Sequence, residues 1–218
     1  MISRVVAAIL LFLLSPLLAI IAVMVRLVMG PKVIFSQERS GLHGATFRIF
    51  KFRTMRERRQ PDEPDGARIT RLGSFLRAAS FDELPSLWNI VRGDMAFVGP
   101  RPLLPAYTSR YDERQRRRLD VKPGITGWVQ VNGRNSLNWD KKFELDIWYV
   151  ENRSALLNAR ILAKTVAALV FRTGIAYEGH PTMPRWEKAP KSDERPFDGK
   201  RDINDGSHSS TAGWTEEP

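Results

Sequence analysis

The sequence contains no cysteine. Disulfides, thiolate nucleophiles and cysteine-ligated zinc sites are therefore excluded. Histidine is nearly as scarce. His43, His180 and His208 stand far apart, without the spacing, such as HExxH, that places two imidazoles on one metal. Acidic residues are outnumbered: 34 Lys and Arg against 24 Asp and Glu leave a formal net charge of +10. That excess points to an anionic partner, whether nucleic acid, a phosphorylated substrate or an anionic membrane face, and composition alone does not choose among them. A chain of 218 residues suits one domain with accessories and is long enough to bury a sizeable core.

One long hydrophobic run is present. Residues 5–25, VVAAILLFLLSPLLAIIAVMV, are apolar apart from Ser15, and about 20 helical residues cross a hydrocarbon core. A cleaved signal peptide would have a shorter apolar stretch and a small-residue cleavage site, whereas RLVMGPKVIF follows here. Ser15-Pro16 interrupts the run. Pro16 cannot donate to the carbonyl of Phe12 and its ring crowds that carbonyl, so a kink is expected there. Ser15 is placed to satisfy a freed backbone group, which makes the break tolerable in lipid. Two readings follow. The helix either spans with a kink, or bends at Ser15-Pro16 and enters and leaves by one leaflet, with Arg4 and Arg26 in the same headgroup layer.

After Gly30-Pro31 the texture changes. Residues 32–55 read as two strands around the turn SGLHG, with Lys51 and Arg53 on the second strand and its end. Residues 56–68 form a polar, Pro- and Gly-containing surface loop. Helical spacing returns over 68–80 and again through FDELPSLWNIVRG, which Gly93 closes. Between the two lies the adjacent pair Asp82-Glu83. Ser80 with Glu83 fits a capping box, and Asp82 as the cap would place Pro85 in a tolerated first turn. Either register puts both carboxylates at a helix N-terminus, which favours their ionised form and also attracts phosphate. An Asp there suits a nucleophile or metal ligand. Its neighbour points about 100° away, so the two side chains are expected to have different jobs.

The segment GDMAFVGPRPLLP holds Arg101 between Pro100 and Pro102, a fixed guanidinium suited to phosphate. Residues 110–118 read as a basic helix whose charges belong to a solvated face. KPGITG and NGRN read as turns, with Arg134 and Asn135 in the second. Residues 135–174 read as helical, with aromatic and basic residues suited either to a membrane interface or to a core. From about residue 181 the chain is too polar to pack.

Taken together, LSPLL, FRIFKFRTM, SFDELPSLWNIVRGDMAFVGPRPLLP, VKPGITGWVQVNGRN and KKFELDIWYVENRS, in this order, resemble the bacterial sugar transferases, the small monotopic polyprenyl-phosphate phosphoglycosyl transferases. The likeness covers about residues 1–182 and is nearest the bacillosamine-phosphate type that initiates bacterial N-glycosylation. It implies an α/β, helix-rich (α+β) catalytic domain over 31–182, a re-entrant membrane hairpin over 1–30 broken at Ser15 and Pro16, interfacial amphipathic helices and a disordered tail over 183–218. It implies transfer of a sugar 1-phosphate from a UDP-sugar to undecaprenyl phosphate with release of UMP. The kinetics would be ping-pong through a phosphosugar–aspartate intermediate, with Mg2+ as cofactor. The implied location is the cytoplasmic face of the inner membrane, among anionic lipids, with downstream glycosyltransferases as further partners.

On this sequence the resemblance makes Asp82 the nucleophile and a Mg2+ ligand and Glu83 its dyad partner. It places Lys51, Arg53, Arg77, Pro100, Arg101, Pro102, Arg134 and Asn135 around the phosphates and nucleotide. A membrane-anchored nucleic-acid binder is the rival reading. It rests on the basic run ending at Arg118, and it leaves Asp82-Glu83 beside Pro-Arg-Pro without a purpose. No nucleic acid partner is therefore expected.

Overall fold

The computed structural model describes residues 1–133, 136–171 and 186. The apolar run forms helix α1, Ile2–Met29, with Pro16 inside it. Ser15 Oγ donates to the Phe12 carbonyl at 2.7 Å, so the group that Pro16 leaves without a partner is satisfied locally, as the sequence suggested. The chain then makes a hairpin of β1, Ile34–Ser40, and β2, Thr46–Phe52, paired antiparallel with Ile34 opposite Phe52 and Ser40 opposite Thr46. The expected polar loop is closed at its base by the Met55–Ile69 bridge and contains the short helix α2, Asp65–Arg68.

Helix α3, Arg71–Ala78, starts at Thr70, whose side chain accepts from the Gly73 amide at 3.0 Å. The next helix differs from both registers expected for it. Residues Phe81–Ser86 form a 3₁₀ turn, and α4, Leu87–Arg92, begins only beyond Pro85. Ser80 adopts a left-handed conformation with φ 55° and makes no side-chain cap. Pro85 has no amide to join an α-helical ladder, and the Glu83 amide bonds back three residues to the Ser80 carbonyl at 3.2 Å. The dyad therefore sits on a tight turn rather than at an α-helix N-terminus. Gly93 does close α4, at φ 90°.

Strand β3, Ala96–Val98, follows, then α5, Pro105–Thr108, and α6, Glu113–Arg116, which runs into a 3₁₀ turn over Arg117–Leu119. KPGITG, expected as a turn, instead carries strand β4, Gly124–Thr126, parallel to β3. Gly124 makes this possible, because a side chain there would run into the Val98–Gly99 backbone. Helix α7, Trp128–Val131, precedes α8, Trp139–Asn152, and α9, Ala155–Phe171. The single helix expected over 135–174 is broken at Arg153-Ser154, where Ser154 Oγ accepts from the Leu157 amide at 3.1 Å.

Among the described residues the core has four buried clusters. In the first, Ala7 of α1 packs with Ile49, Leu87, Ile90 and Met95. In the second, Ile21, Val25 and Met29 of α1 pack with Phe52 and Leu76. Helix α1 therefore lies against β2, α3 and α4 along most of its length, while Ile9, Phe12, Leu13, Ile20, Val23 and Leu27 face outward. A third cluster joins Val98 and Val121 to Tyr149 and Ile161. The fourth gathers Tyr107, Tyr111, Phe143 and Trp186. Trp186 thus stands within the first compact unit, Met1–Trp186, four residues past the boundary read at 182; the rest of the expected tail lies outside the described residues.

Candidate active site

The site begins with how α4 is attached to β2. Asn89 is fully buried, a polar residue on the apolar face of LWNIV. Its Oδ1 accepts from the Phe50 amide at 3.2 Å, and its Nδ2 donates to the Arg48 carbonyl at 2.7 Å. Ser86 Oγ donates to the Phe50 carbonyl at 2.7 Å. These bonds satisfy backbone groups of β2 and fix the turn Phe81–Ser86 over the strand that carries Lys51.

The turn then delivers its two carboxylates to different surroundings. Glu83 Oε1 accepts from Lys51 Nζ at 2.5 Å and from Arg101 Nη2 at 2.9 Å. Burial alone would raise the Glu83 pKa, but the charges of Arg101 and Lys51 and their hydrogen bonds outweigh it and hold this carboxyl well below the usual range. Burial pulls the Lys51 ammonium down and Glu83 opposes that pull. Asp82 is half-buried and accepts no hydrogen bond from the described residues. Its pKa is pushed up to about 6, chiefly by burial and then by the neighbouring Glu83 charge, against the pull of Lys51, Arg101 and Arg77.

Adjacent carboxyl groups driven apart in this way mark separate chemical roles. Glu83 is a fixed, paired anion that orients two cations. Asp82 is the more basic group, still ionised at neutral pH, with its lone pairs unengaged by the described residues.

Lys51, Glu83, Arg101 and Pro102 line one cavity together with Arg39, a residue that sequence reasoning missed. Arg39 donates to Gln37 Oε1 at 2.6 Å and to the Pro102 carbonyl at 3.4 Å, and its pKa falls to about 10 through burial and the nearby Arg101 charge. Nothing in SQERSG marks it before the hairpin folds. Asn89 did leave a signal, as an amide within an apolar helical stripe. Arg77 donates to Thr54 Oγ1 at 2.9 Å and lies within electrostatic reach of Asp82. Arg53 is directed to the Met55 and Lys32 carbonyls, at 2.8 and 3.4 Å, rather than to the dyad. Arg134 and Asn135 lie outside the described residues. The solvated-face reading of the basic run fits Arg114, Arg116 and Arg117 but not Arg118, which is buried.

Among the described residues no three His, Asp or Glu side chains gather as a metal cage. The open carboxylate of Asp82 still fits Mg2+, which keeps several waters and takes its other ligands from substrate phosphates.

Comparison with known proteins gives the family. The family model described as bacterial sugar transferase matches residues 1–172. The uncharacterized sugar transferase EpsL of Bacillus subtilis is 50% identical over 165 residues, which cover 74% of this chain and 82% of EpsL. The UDP-glucose:undecaprenyl-phosphate glucose-1-phosphate transferase of Xanthomonas campestris is 38% identical over 182 residues, 77% of this chain and 38% of that protein. The undecaprenyl-phosphate galactose phosphotransferase of Salmonella typhimurium is 36% identical over 165 residues, 66% of this chain and 35% of that protein. The chain thus spans most of EpsL but little more than a third of the two longer relatives.

Proposed function

We propose, from the premise that this chain belongs to the bacterial sugar transferase family, that it moves a sugar 1-phosphate from a UDP-sugar to undecaprenyl phosphate through a covalent intermediate on Asp82. The observation that carries this reading is the asymmetry of the dyad: Glu83 is bound to Lys51 and Arg101, while Asp82 is raised to about 6 and accepts no hydrogen bond from the described residues. The longer relatives, named for undecaprenyl phosphate and for glucose and galactose, supply the substrate class.

In the first half-reaction an ionised Asp82 oxygen attacks the phosphorus that carries the sugar. The bond from that phosphorus to the bridging oxygen breaks, and UMP leaves with the electron pair. Lys51 and Arg101, held in place by Glu83, face the charge that develops on the departing phosphate. In the second half-reaction a phosphate oxygen of undecaprenyl phosphate attacks the same phosphorus and displaces the Asp82 carboxylate. Asp82 would hold the Mg2+, which would supply charge neutralisation across the diphosphate. Dividing the transfer lets a water-soluble donor and a lipid acceptor use one site in turn.

The same reading places the chain on the cytoplasmic face of the inner membrane, with α1 dipping into one leaflet as a re-entrant element and the exposed apolar helix faces near the interface. Its support is the packing of α1. Ala7 and Met29, about 33 Å apart along the helix, both lie against the same catalytic unit. A helix crossing upright would carry one of those ends across the hydrocarbon, about 30 Å thick. The net charge of +10 suits the anionic cytoplasmic leaflet. The lipid-linked product is the acceptor that downstream glycosyltransferases extend.

The test is a single turnover with donor and no acceptor. Release of about one UMP per protein, with a phosphosugar mass added to the peptide containing Asp82, is expected across a panel that starts with UDP-glucose and UDP-galactose. UMP release that strictly requires the lipid acceptor, with no adduct, would refute it.

A further inference from the structure

The segment Pro100–Leu103 carries Arg101 into the site, and each of its four carbonyls accepts a hydrogen bond from elsewhere in the chain. Gly124 N donates to Pro100 O at 3.1 Å, Arg118 Nη2 to Arg101 O at 2.7 Å, Arg39 Nη1 to Pro102 O at 3.4 Å and Ser40 N to Leu103 O at 2.9 Å. The contact to Arg101 itself is the shortest, and it comes from a guanidinium with only 3% of its surface exposed.

Arg118 is engaged on every side. Its Nη2 and Nε donate to Asp146 Oδ2 at 2.8 and 3.2 Å, and its Nη1 donates to Tyr111 Oη at 3.1 Å. Its guanidinium carbon lies 5.7 Å from the Tyr111 ring centre and 5.8 Å from that of Phe143. A buried ion pair of this kind adds little net stability, because desolvation offsets the attraction, and apolar residues of similar size usually serve as well. Its geometric effect is specific, however. It connects α8, through Asp146, to the backbone of the one arginine that, among the described residues, pairs with Glu83.

We infer that Arg118 is a positioning residue for the transfer: fixed by Asp146, it holds the Arg101 carbonyl and so sets where the Arg101 guanidinium meets Glu83 and the donor phosphate. This rests on the reading in which Arg101 faces the departing phosphate. Pro100 and Pro102 restrict the backbone dihedrals on either side, but they fix no position relative to the turn Phe81–Ser86. Arg118 supplies that coordinate. A displacement of about 1 Å at such a group costs on the order of a hundredfold in rate.

The experiment is a double-mutant cycle on the full chain in lipid nanodiscs, using the UDP-sugar that the wild-type protein turns over fastest. One arm is Arg101→Gln. The other is Arg118→Met combined with Asp146→Leu, which leaves no unpaired buried charge. Each arm is expected to lower kcat about 10- to 100-fold while KM for the donor changes less than about threefold. Combined, they should lose no more than the larger arm alone, because both act through one guanidinium. Losses that multiply, or wild-type kcat in the Arg118/Asp146 arm, would overturn the inference and leave the proposed reaction standing. Wild-type turnover in Arg101→Gln would sink the reading of Arg101 and this inference with it. Should the apolar pair fail to fold, Arg118→Lys carries the same test. It keeps a charge for Asp146 but lacks the planar fork that reaches both partners, so an unchanged melting temperature with lowered kcat is expected.

Discussion

Replacing Asp82 by Asn keeps the shape of the side chain and removes its charge, and it should stabilise the protein while abolishing transfer. A carboxyl raised from 3.8 to about 6 makes the folded state less stable by about 3 kcal/mol wherever it is ionised in both states. Partial exposure of the group screens this to about 2 kcal/mol. The dependence on pH has a definite sign. Well below 3.8 the carboxyl is protonated folded and unfolded, and the cost is absent. Between 3.8 and about 6 the folded chain keeps a proton that the unfolded chain has released, so stability falls as pH rises. Above about 6 the cost is complete and constant. Asp82→Asn lacks this dependence. At roughly 2–4 °C per kcal/mol for a chain of this size, the variant should melt about 4–8 °C above wild type at pH 8 and about half as far above it at pH 5. The assay is a thermal melt of protein in nanodiscs, without donor and in EDTA, so that Mg2+ does not bind the wild-type carboxylate. UMP release by the same preparation should fall by at least about a thousandfold. A variant melting at or below wild type at pH 8, or an offset that does not narrow by pH 5, would refute the reasoning.

Glu83→Gln leaves Lys51 and Arg101 without their anion and removes the like charge beside Asp82. Turnover should drop about 10- to 100-fold, and the acid limb of the pH–rate profile, set by Asp82 near 6, should move to lower pH; a limb that stays in place would count against direct coupling of the two carboxyls. Asn89→Ala strands the Phe50 amide and Arg48 carbonyl of β2. It should cost about 2–4 kcal/mol, read as a lower melting temperature with turnover lost in step with folded protein. Because the chain has no cysteine, Ser3→Cys and Lys32→Cys give single thiols at the two ends of α1. A membrane-impermeant maleimide should reach both from the cytoplasmic side of inverted vesicles, and labelling of the two from opposite sides would exclude the one-leaflet arrangement.

The fold was legible where the pattern is local. The alternation around SGLHG produced the hairpin, helical spacing produced α3, Gly93 ended α4, and Ser15 satisfied the carbonyl freed by Pro16. The errors share a cause. KPGITG looked like a turn because its glycines were read for their dihedral freedom, whereas Gly124 serves a close backbone approach between β3 and β4, which are distant in sequence. The capping registers around Ser80 failed because Glu83 finds better partners in Lys51 and Arg101, each far along the chain, than in the local amide of a cap. The same holds for site residues. Asn89 left a signal as an amide in an apolar stripe, but Arg39 and Arg118 become visible only when β1 and the segment after α6 meet the Pro100–Leu103 segment. Arg118 is the sharpest case, since four arginines in RQRRR look alike until one of them is buried.

Under the proposed function, the dyad's neighbours tie the chemistry to the membrane. Asp82 and Glu83 stand between Phe81 and Leu84, and both flanking residues pack into the cluster that contains Ile21, Val25 and Met29 of α1. On a 3₁₀ turn successive side chains diverge by about 120°, so residues 81 and 84 share one face and the carboxylates take the others. The face that grips α1 and the face that holds the reacting groups therefore belong to a single turn of backbone. Lys51 is fixed in the same way, with Ile49 and Phe52 of its own strand packed on opposite halves of α1. Under the proposed function, this arrangement lets the depth of α1 set the depth of the attacking oxygen. A soluble nucleotide arrives from water, and the lipid phosphate is confined to the headgroup layer. An enzyme that joins them needs its nucleophile at that height in every turnover, and under the proposed function the FDEL sequence would provide it by alternating contacts to α1 with reactive groups.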